Sequence, residues 1–218
     1  MSVGSYTKQS AGGGMITIQS SAANLKAFQD FAKVVPKAAA AAQRRAINKT
    51  LGWLRTHIAR AVSRQEKIAV TAVRQRLRSY PVRGGSSQGK LWFGINPLEA
   101  SRIGRPNQTA SGVSVGGRRY KGAFYKRVYG SNADIWIRTG SKQFSAEDYP
   151  GSTDGRRTSG FVKEAYGRFP LAKAKVMLED IRPLFNTWSR LADARLLEIL
   201  RQELNYELQK YLKGAGRV

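Results

Sequence analysis

Residues 36–65 read PKAAAAAQRRAINKTLGWLRTHIARAVSRQ, and the stretch predicts one long helix. Pro36 suits the first helical position, where its missing N–H has no partner to lose. Five alanines follow, Ala38 to Ala42, the strongest helix formers. Ile47, Leu51, Leu54, Ile58, Ala61 and Val62 then recur at three- and four-residue steps and form one apolar stripe. Arg45, Lys49 and Arg60 fall on the opposite face, and Arg44, Arg55 and Arg64 flank it. The helix therefore has one side for a core and one side for a negative partner or for water.

Working outward, Ser20 or Ser21 caps a shorter helix over Ala22–Lys33, with Leu25, Phe28, Phe31 and Ala32 on one face. Met15–Ile18 reads as a short strand. Ile68–Arg78 reads as a third helical piece with Val70, Val73 and Leu77 as its apolar side, closed by Tyr80-Pro81 and Gly84–Ser87. Four segments rich in aromatic and β-branched residues follow: Lys90–Ile95, Gly112–Val115, Ala123–Val128 and Asp134–Arg138. Gly140–Gly160 reads as a long loop, and Gly167–Ala172 leads into a last strand ending near Met177. Pro183–Lys213 predicts a C-terminal helix, with Gly214 as its stop. That helix has two stripes. Phe185, Trp188, Ala192, Leu196 and Ile199 share one face. Leu197, Leu200, Leu204, Leu208 and Tyr211 share another, which suits contact with a second copy.

The expected fold is α+β, with long N-terminal helices and a C-terminal helix packed on a small antiparallel β-sheet. Residues 1–14 are expected to be a flexible arm held by a neighbour. Residues 15–213 are expected to form a single domain: 15–80 helical, 88–140 β-rich, 141–160 a long loop and 183–213 the C-terminal helix.

The chain has 218 residues, 41% of them hydrophobic, enough for a real core. Its formal net charge is +24, which points to a polyanionic partner or an acidic protein surface. Between Phe31 and Ala133 the only acids are Glu66 and Glu99, against 21 lysines and arginines. Solvated faces usually mix signs, and this segment does not. There is no cysteine, so disulfides and thiolate zinc sites are excluded. No apolar run reaches the length of a membrane span, and the N-terminus lacks the apolar region of a secretory signal.

Catalytic constellations are weak. The glycines of Gly112–Gly117 lack both dinucleotide and P-loop spacing and read as turn residues. His57, the only histidine, has almost no acid near it in sequence and reads as a surface or interface residue. Glu147-Asp148 and Glu179-Asp180 are adjacent pairs whose carboxylates do not converge, and they read as solvated acids. We expect no catalytic, cofactor or metal site, and hence no enzyme. The candidate DNA- or partner-contacting surface is Arg44, Arg45, Lys49, Arg55, Arg60, Arg64, Arg118, Arg119, Lys121, Lys126 and Arg127. Arginine suits bidentate contacts to phosphate or carboxylate. No sequence-reading motif is present, so any contact with double-stranded DNA is expected through phosphates. Charge reversal of Arg45, Lys49 and Arg60 together is expected to leave the fold intact.

The order of parts carries a resemblance. The segment VPKAAAAAQRRAINKT running into a long basic helix, GGRRYKGAF over Gly116–Phe124, and FPLAKA over Phe169–Ala174 together resemble the minor tail protein Z, or tail completion, family of lambda-like long-tailed bacteriophages. The resemblance covers about Met15 to Leu212. It implies a structural virion protein, made in the host cytoplasm, that completes the head-proximal end of the tail and joins tail to capsid at the neck. It also implies a closed ring, sixfold by expectation, with Leu197, Leu200, Leu204, Leu208 and Tyr211 at the contact between copies. Implied neighbours are the tail terminator, tail tube or head-tail stopper, and the end of the packaged DNA. No membrane partner is expected. The alternative reading is a free, non-sequence-specific nucleic-acid-binding protein.

Overall fold

The long helix is α2, Pro36–Glu66, within one residue of the span its periodicity predicts. A computed structural model describes residues 4–9, 13–19, 26–83, 88–128, 131–150, 171–178 and 181–215. The expected caps at Ser20 and Ser21, the glycine turn over 84–87, residues 151–160 of the expected loop and the Glu179-Asp180 pair lie outside them.

Ala39, Ala42, Ala46, Ile47, Leu51, Leu54, Ile58, Ala59 and Val62 of α2 are all buried. Ala46 and Val62 lie about half a turn apart on the 3.6-residue period, so the buried face rotates along the helix. The helix stops at Lys67, whose φ of 52° is the left-handed conformation of a C′ residue. Ile68 N–H then reaches back to Ser63 O at 3.2 Å, the long closing bond of a Schellman turn.

The chain forms two compact units. The first comprises 1–61, 74–94 and 181–218, and the second 62–73 and 95–180. Each is thus assembled from separated segments, where the sequence reading treats 15–213 as one domain.

The first unit holds a four-stranded antiparallel sheet of β1 (Gly4–Gln9), β2 (Gly13–Gln19), β3 (Leu77–Tyr80) and β4 (Gln88–Gly94), in the order β1-β2-β4-β3. Part of the expected arm is therefore a strand, β1, paired with β2 of the same chain. Ile16, Ile18, Leu77, Leu91 and Phe93 are buried on one face of the sheet. Gly89 belongs to that face. A Cβ there would come within 2.7 Å of Ile47 and Leu51, so its lack of a side chain lets β4 lie directly on α2. Phe93 stacks on Phe185 with ring centroids 5.6 Å apart, which brings α4 (Arg182–Ala215) onto the sheet. The intervening residues Met15, Lys90, Trp92, Arg78 and Tyr80 form the outer face by alternation.

The short helix α1 spans Lys26–Val34. The third helix, α3, is Val70–Arg76, shorter than expected. Leu77–Tyr80 pairs with β4 instead of extending α3, because the apolar Leu77 meets Phe93 in the ladder, and that tertiary pairing overrides local propensity. Ala72 and Val73 are the buried residues of α3, while Val70, expected on the apolar side, is exposed.

The second unit is β-rich. It contains β6 (Asn107–Thr109), β7 (Gly112–Val115) and β8 (Arg118–Lys121) in one sheet. A second sheet orders β11 (Leu171–Lys173), β10 (Asp134–Arg138) and β9 (Phe124–Lys126). A short ladder joins β5 (Leu98–Glu99) to β12 (Lys175–Val176). All pairings are antiparallel. Val113, Val115, Tyr120, Ile135, Trp136, Ile137 and Ala172 form its core. Gly116 (φ +57°) belongs to the turn between β7 and β8, and a Cβ there would sit 2.6 Å from Lys67 O. The protein is α+β, as expected. Its sheet content is divided among several small antiparallel ladders.

Candidate functional site

The cations predicted on the back of α2 divide into two groups. Arg45 Nε donates to Glu203 at 2.5 Å and its Nη2 to Glu207 at 2.5 Å. Lys49 Nζ donates to the other Glu203 oxygen. Both glutamates are buried on α4. Burial alone would raise the Glu203 pKa, but the hydrogen bonds from Arg45 and Lys49 outweigh it, and the carboxyl is held below its ordinary value. Burial likewise opposes the Arg45 charge, and the two glutamates overcome it. The guanidinium also sits over the Tyr206 ring, 5.3 Å from its centroid. Arg45 and Lys49 are thus structural ties between α2 and α4. The expectation that reversing them leaves the fold intact is corrected: reversal would set like charge against two buried carboxylates.

The second group is open. Arg44, Arg55 and Arg60 are exposed in the first unit. Arg55 donates to the Arg74 carbonyl at 3.3 Å, and none of the three has a carboxylate partner among the described residues. In the second unit Arg64, Arg119, Lys121, Lys126 and Arg127 are exposed, with Arg119 donating to Ser111 Oγ at 3.0 Å. Arg118 differs from these. It is half-buried and holds the end of α2, donating to Glu66 O at 2.5 Å and to Glu66 Oε2 at 3.2 Å.

The second stripe predicted on α4 also divides. Leu200 is buried inside the first unit and is core. Leu197 and Leu204 are half-buried. Leu208 and Tyr211 are exposed, as are Tyr206 and Leu212. Beside them a pocket of 410 Å³ is lined by Ala38, Glu207, Lys210, Tyr211 and Gly214. Gly214 lies within α4, which runs on to Ala215.

His57 packs against two indoles that also touch each other: its ring is 4.6 Å from Trp53 and 5.2 Å from Trp188, and the indoles meet edge-on at 5.4 Å. Arg195 lies over Trp53 at 5.9 Å. This is a packing role that neighbouring sequence does not disclose. Glu147 is exposed and Asp148 half-buried. Burial, then the charge of Glu147, raises the Asp148 pKa. Next to it Tyr149 is buried between Phe144 and Tyr120, and burial pushes the Tyr120 hydroxyl up to about 12. Among the described residues no group of three His, Cys, Asp or Glu could hold a metal ion, and no helix is long and apolar enough to cross a membrane.

Sequence reasoning missed a polar knot in the second unit. Asp134 is buried at the start of β10 and takes bonds from Ser101 Oγ (2.5 Å) and Lys173 Nζ (2.8 Å). Lys173 also reaches Glu99 at 3.2 Å and lies over the Trp136 ring. Burial disfavours the Lys173 charge, but the two carboxylates win and its pKa is raised. The signal for Asp134 was its place in DIWIR, a strand buried on both faces.

The molecule is thus a basic α+β protein whose cations divide between internal ion pairs and open surface. It belongs to the prophage minor tail protein Z (GPZ) family, whose model matches residues 23–214. No curated protein and no solved structure matches the chain. Family membership makes it a structural protein of a bacteriophage tail, and so a virion component.

Proposed function

We propose that the protein completes the head-proximal end of the tail and joins tail to capsid as a ring of identical copies. The observation that supports this reading is the separation of its charges. Glu203, Glu207, Glu66, Glu99 and Asp134 are all engaged by cations of the same chain. Arg44, Arg55 and Arg60 stay on open surface. That leaves positive charge for a neighbour, either the acidic rim of another tail or neck protein or the phosphates at the end of the packaged DNA. Between copies, the exposed end of α4 supplies an apolar contact through Leu208, Tyr211 and Leu212. Leu200 takes no part, since it is already buried.

The test is assembly in the infected cell. Arg44, Arg55 and Arg60 replaced together by Glu should give separate full heads and tails in electron micrographs. Intact infectious particles from that variant overturn the reading. Leu208→Glu with Tyr211→Glu should leave a folded chain that no longer forms rings. The net charge of +24 supports a second reading, a free nucleic-acid-binding protein. Tight, salt-sensitive binding of duplex DNA by monomers that never form rings would favour it.

A further inference from the structure

The outer face of the four-stranded sheet carries a second, chemically different feature. Register sets Trp92 of β4 between Met15 of β2 and Arg78 of β3, and sets Lys90 between Thr17 and Tyr80. Aromatic and cationic side chains therefore alternate as on a checkerboard, with the two rings on one diagonal and the two cations on the other. Diagonal neighbours on one sheet face lie roughly 7–8 Å apart. Met15, Arg78, Tyr80, Lys90 and Trp92 line a pocket of 460 Å³. Tyr80 is 50% exposed, and Arg78 and Lys90 are exposed, their side chains making no hydrogen bond or ion pair among the described residues. The indole of Trp92 lies down along its own strand. Its six-membered ring fills the space where a side chain at 94 would stand, since a Cβ there would meet it at 2.7 Å. Gly94 thus lets the ring rest on the sheet.

We propose that this face binds single-stranded nucleic acid, with Trp92 and Tyr80 stacking on unpaired bases and Arg78 and Lys90 meeting the flanking phosphates. A sheet face with rings set between cations, here the exposed Tyr80 and the half-buried Trp92, suits this ligand, because every base has a face to stack while the backbone supplies charge at each step. A duplex keeps its bases stacked on one another and offers such rings nothing. An acidic peptide would occupy the two cations and leave the rings idle. The surface is distinct from the α2 arginines and calls for a different form of the polymer.

The full-length protein is titrated with a labelled oligothymidylate and, separately, with a duplex of equal length, at about 200 mM salt, where purely electrostatic binding has fallen by orders of magnitude. Tyr80→Ala should weaken single-strand binding roughly tenfold and leave duplex binding unchanged. Arg78→Ala with Lys90→Ala should weaken it further and flatten its salt dependence. Tryptophan emission should be quenched by the oligonucleotide, and Trp92→Phe should abolish the quenching while retaining most of the binding. Tyr80 is exposed enough that its replacement does not threaten the fold, so it decides the matter should Trp92 variants misfold. Single-strand affinity untouched by Tyr80→Ala, or single-strand and duplex affinities falling together, overturns the proposal. Quenching that survives in Trp92→Phe also overturns it.

Discussion

Arg45 and Glu203 are 158 positions apart in the chain, and their side chains meet at 2.5 Å. The buried face of α4 runs through Phe185, Ala192, Leu196, Ile199 and Leu200 and then turns acidic at Glu203 and Glu207. Arg45 and Lys49 meet it where that change occurs. Removing one partner of such a pair leaves a desolvated charge behind. Glu203→Ala should therefore cost about 2–3 kcal/mol, read as a lower urea midpoint at unchanged slope. Arg45→Glu should cost more. An unchanged midpoint in Glu203→Ala would show that the pair contributes nothing.

The same carboxylate sets an acid limit. Glu203 has its folded pKa depressed below the ordinary 4.5, so its contribution is complete above that value. It is lost as pH falls through the lower folded pKa. Asp148 has the opposite sign. Its folded pKa lies above the ordinary 3.8, so its contribution is present below that value and disappears as pH rises. Comparing unfolding of the wild type and Glu203→Gln between about pH 7 and pH 3 isolates the first effect. The difference in stability should shrink toward acid; a gap that stays constant would exclude the linkage.

Lys67 holds a left-handed backbone that glycine adopts without a Cβ penalty. Lys67→Gly should stabilise the end of α2 by about 0.5–1 kcal/mol, measured as a raised melting temperature. A lower one would mean that the aliphatic stem of Lys67 contributes more than the strain removes.

Lys173→Met strands Asp134 beside Ser101 with no cation. The expected cost is about 3 kcal/mol. Asp134→Asn in the same chain should recover part of it, and the double-mutant cycle gives the coupling.

The open arginines should behave differently. Arg44→Glu and Arg60→Glu are each expected to change stability by less than about 0.5 kcal/mol. Denaturation midpoints well below the wild type would place these residues in internal contacts instead.

How much of this was legible in the sequence varied with the range of the interaction. The ends of α2 were readable because Pro36 marks the start and a strict three-and-four periodicity runs from Ile47 to Val62. β4, β7 and β10 were readable from short aromatic and β-branched runs between turn residues. β3 was not: Leu77 looks like the last apolar position of a helix until Phe93 appears opposite it. Glu203 and Glu207 were hidden for a related reason. Two glutamates four apart on a helix resemble solvated acids, and only the fold brings Arg45 and Lys49 to them. Leu200 and Leu208 sit on one predicted stripe, yet one is core and the other open: eight residues carry a helix about 80° round its axis, enough to turn Leu208 off the buried face. His57 reads as a surface or interface residue, and the fold leaves it half-buried against Trp53 and Trp188.

The order in which the chain emerges from the ribosome adds a consequence of its segmented build. The second unit is complete once residue 180 has been made, while the first still lacks α4. Until α4 is synthesised, Trp53 and His57 lack Trp188, and Arg45 and Lys49 have no carboxylate to meet. The first unit is therefore closed only after translation has passed Glu207, and a nascent chain halted earlier presents bare apolar and cationic surface to whatever surrounds it.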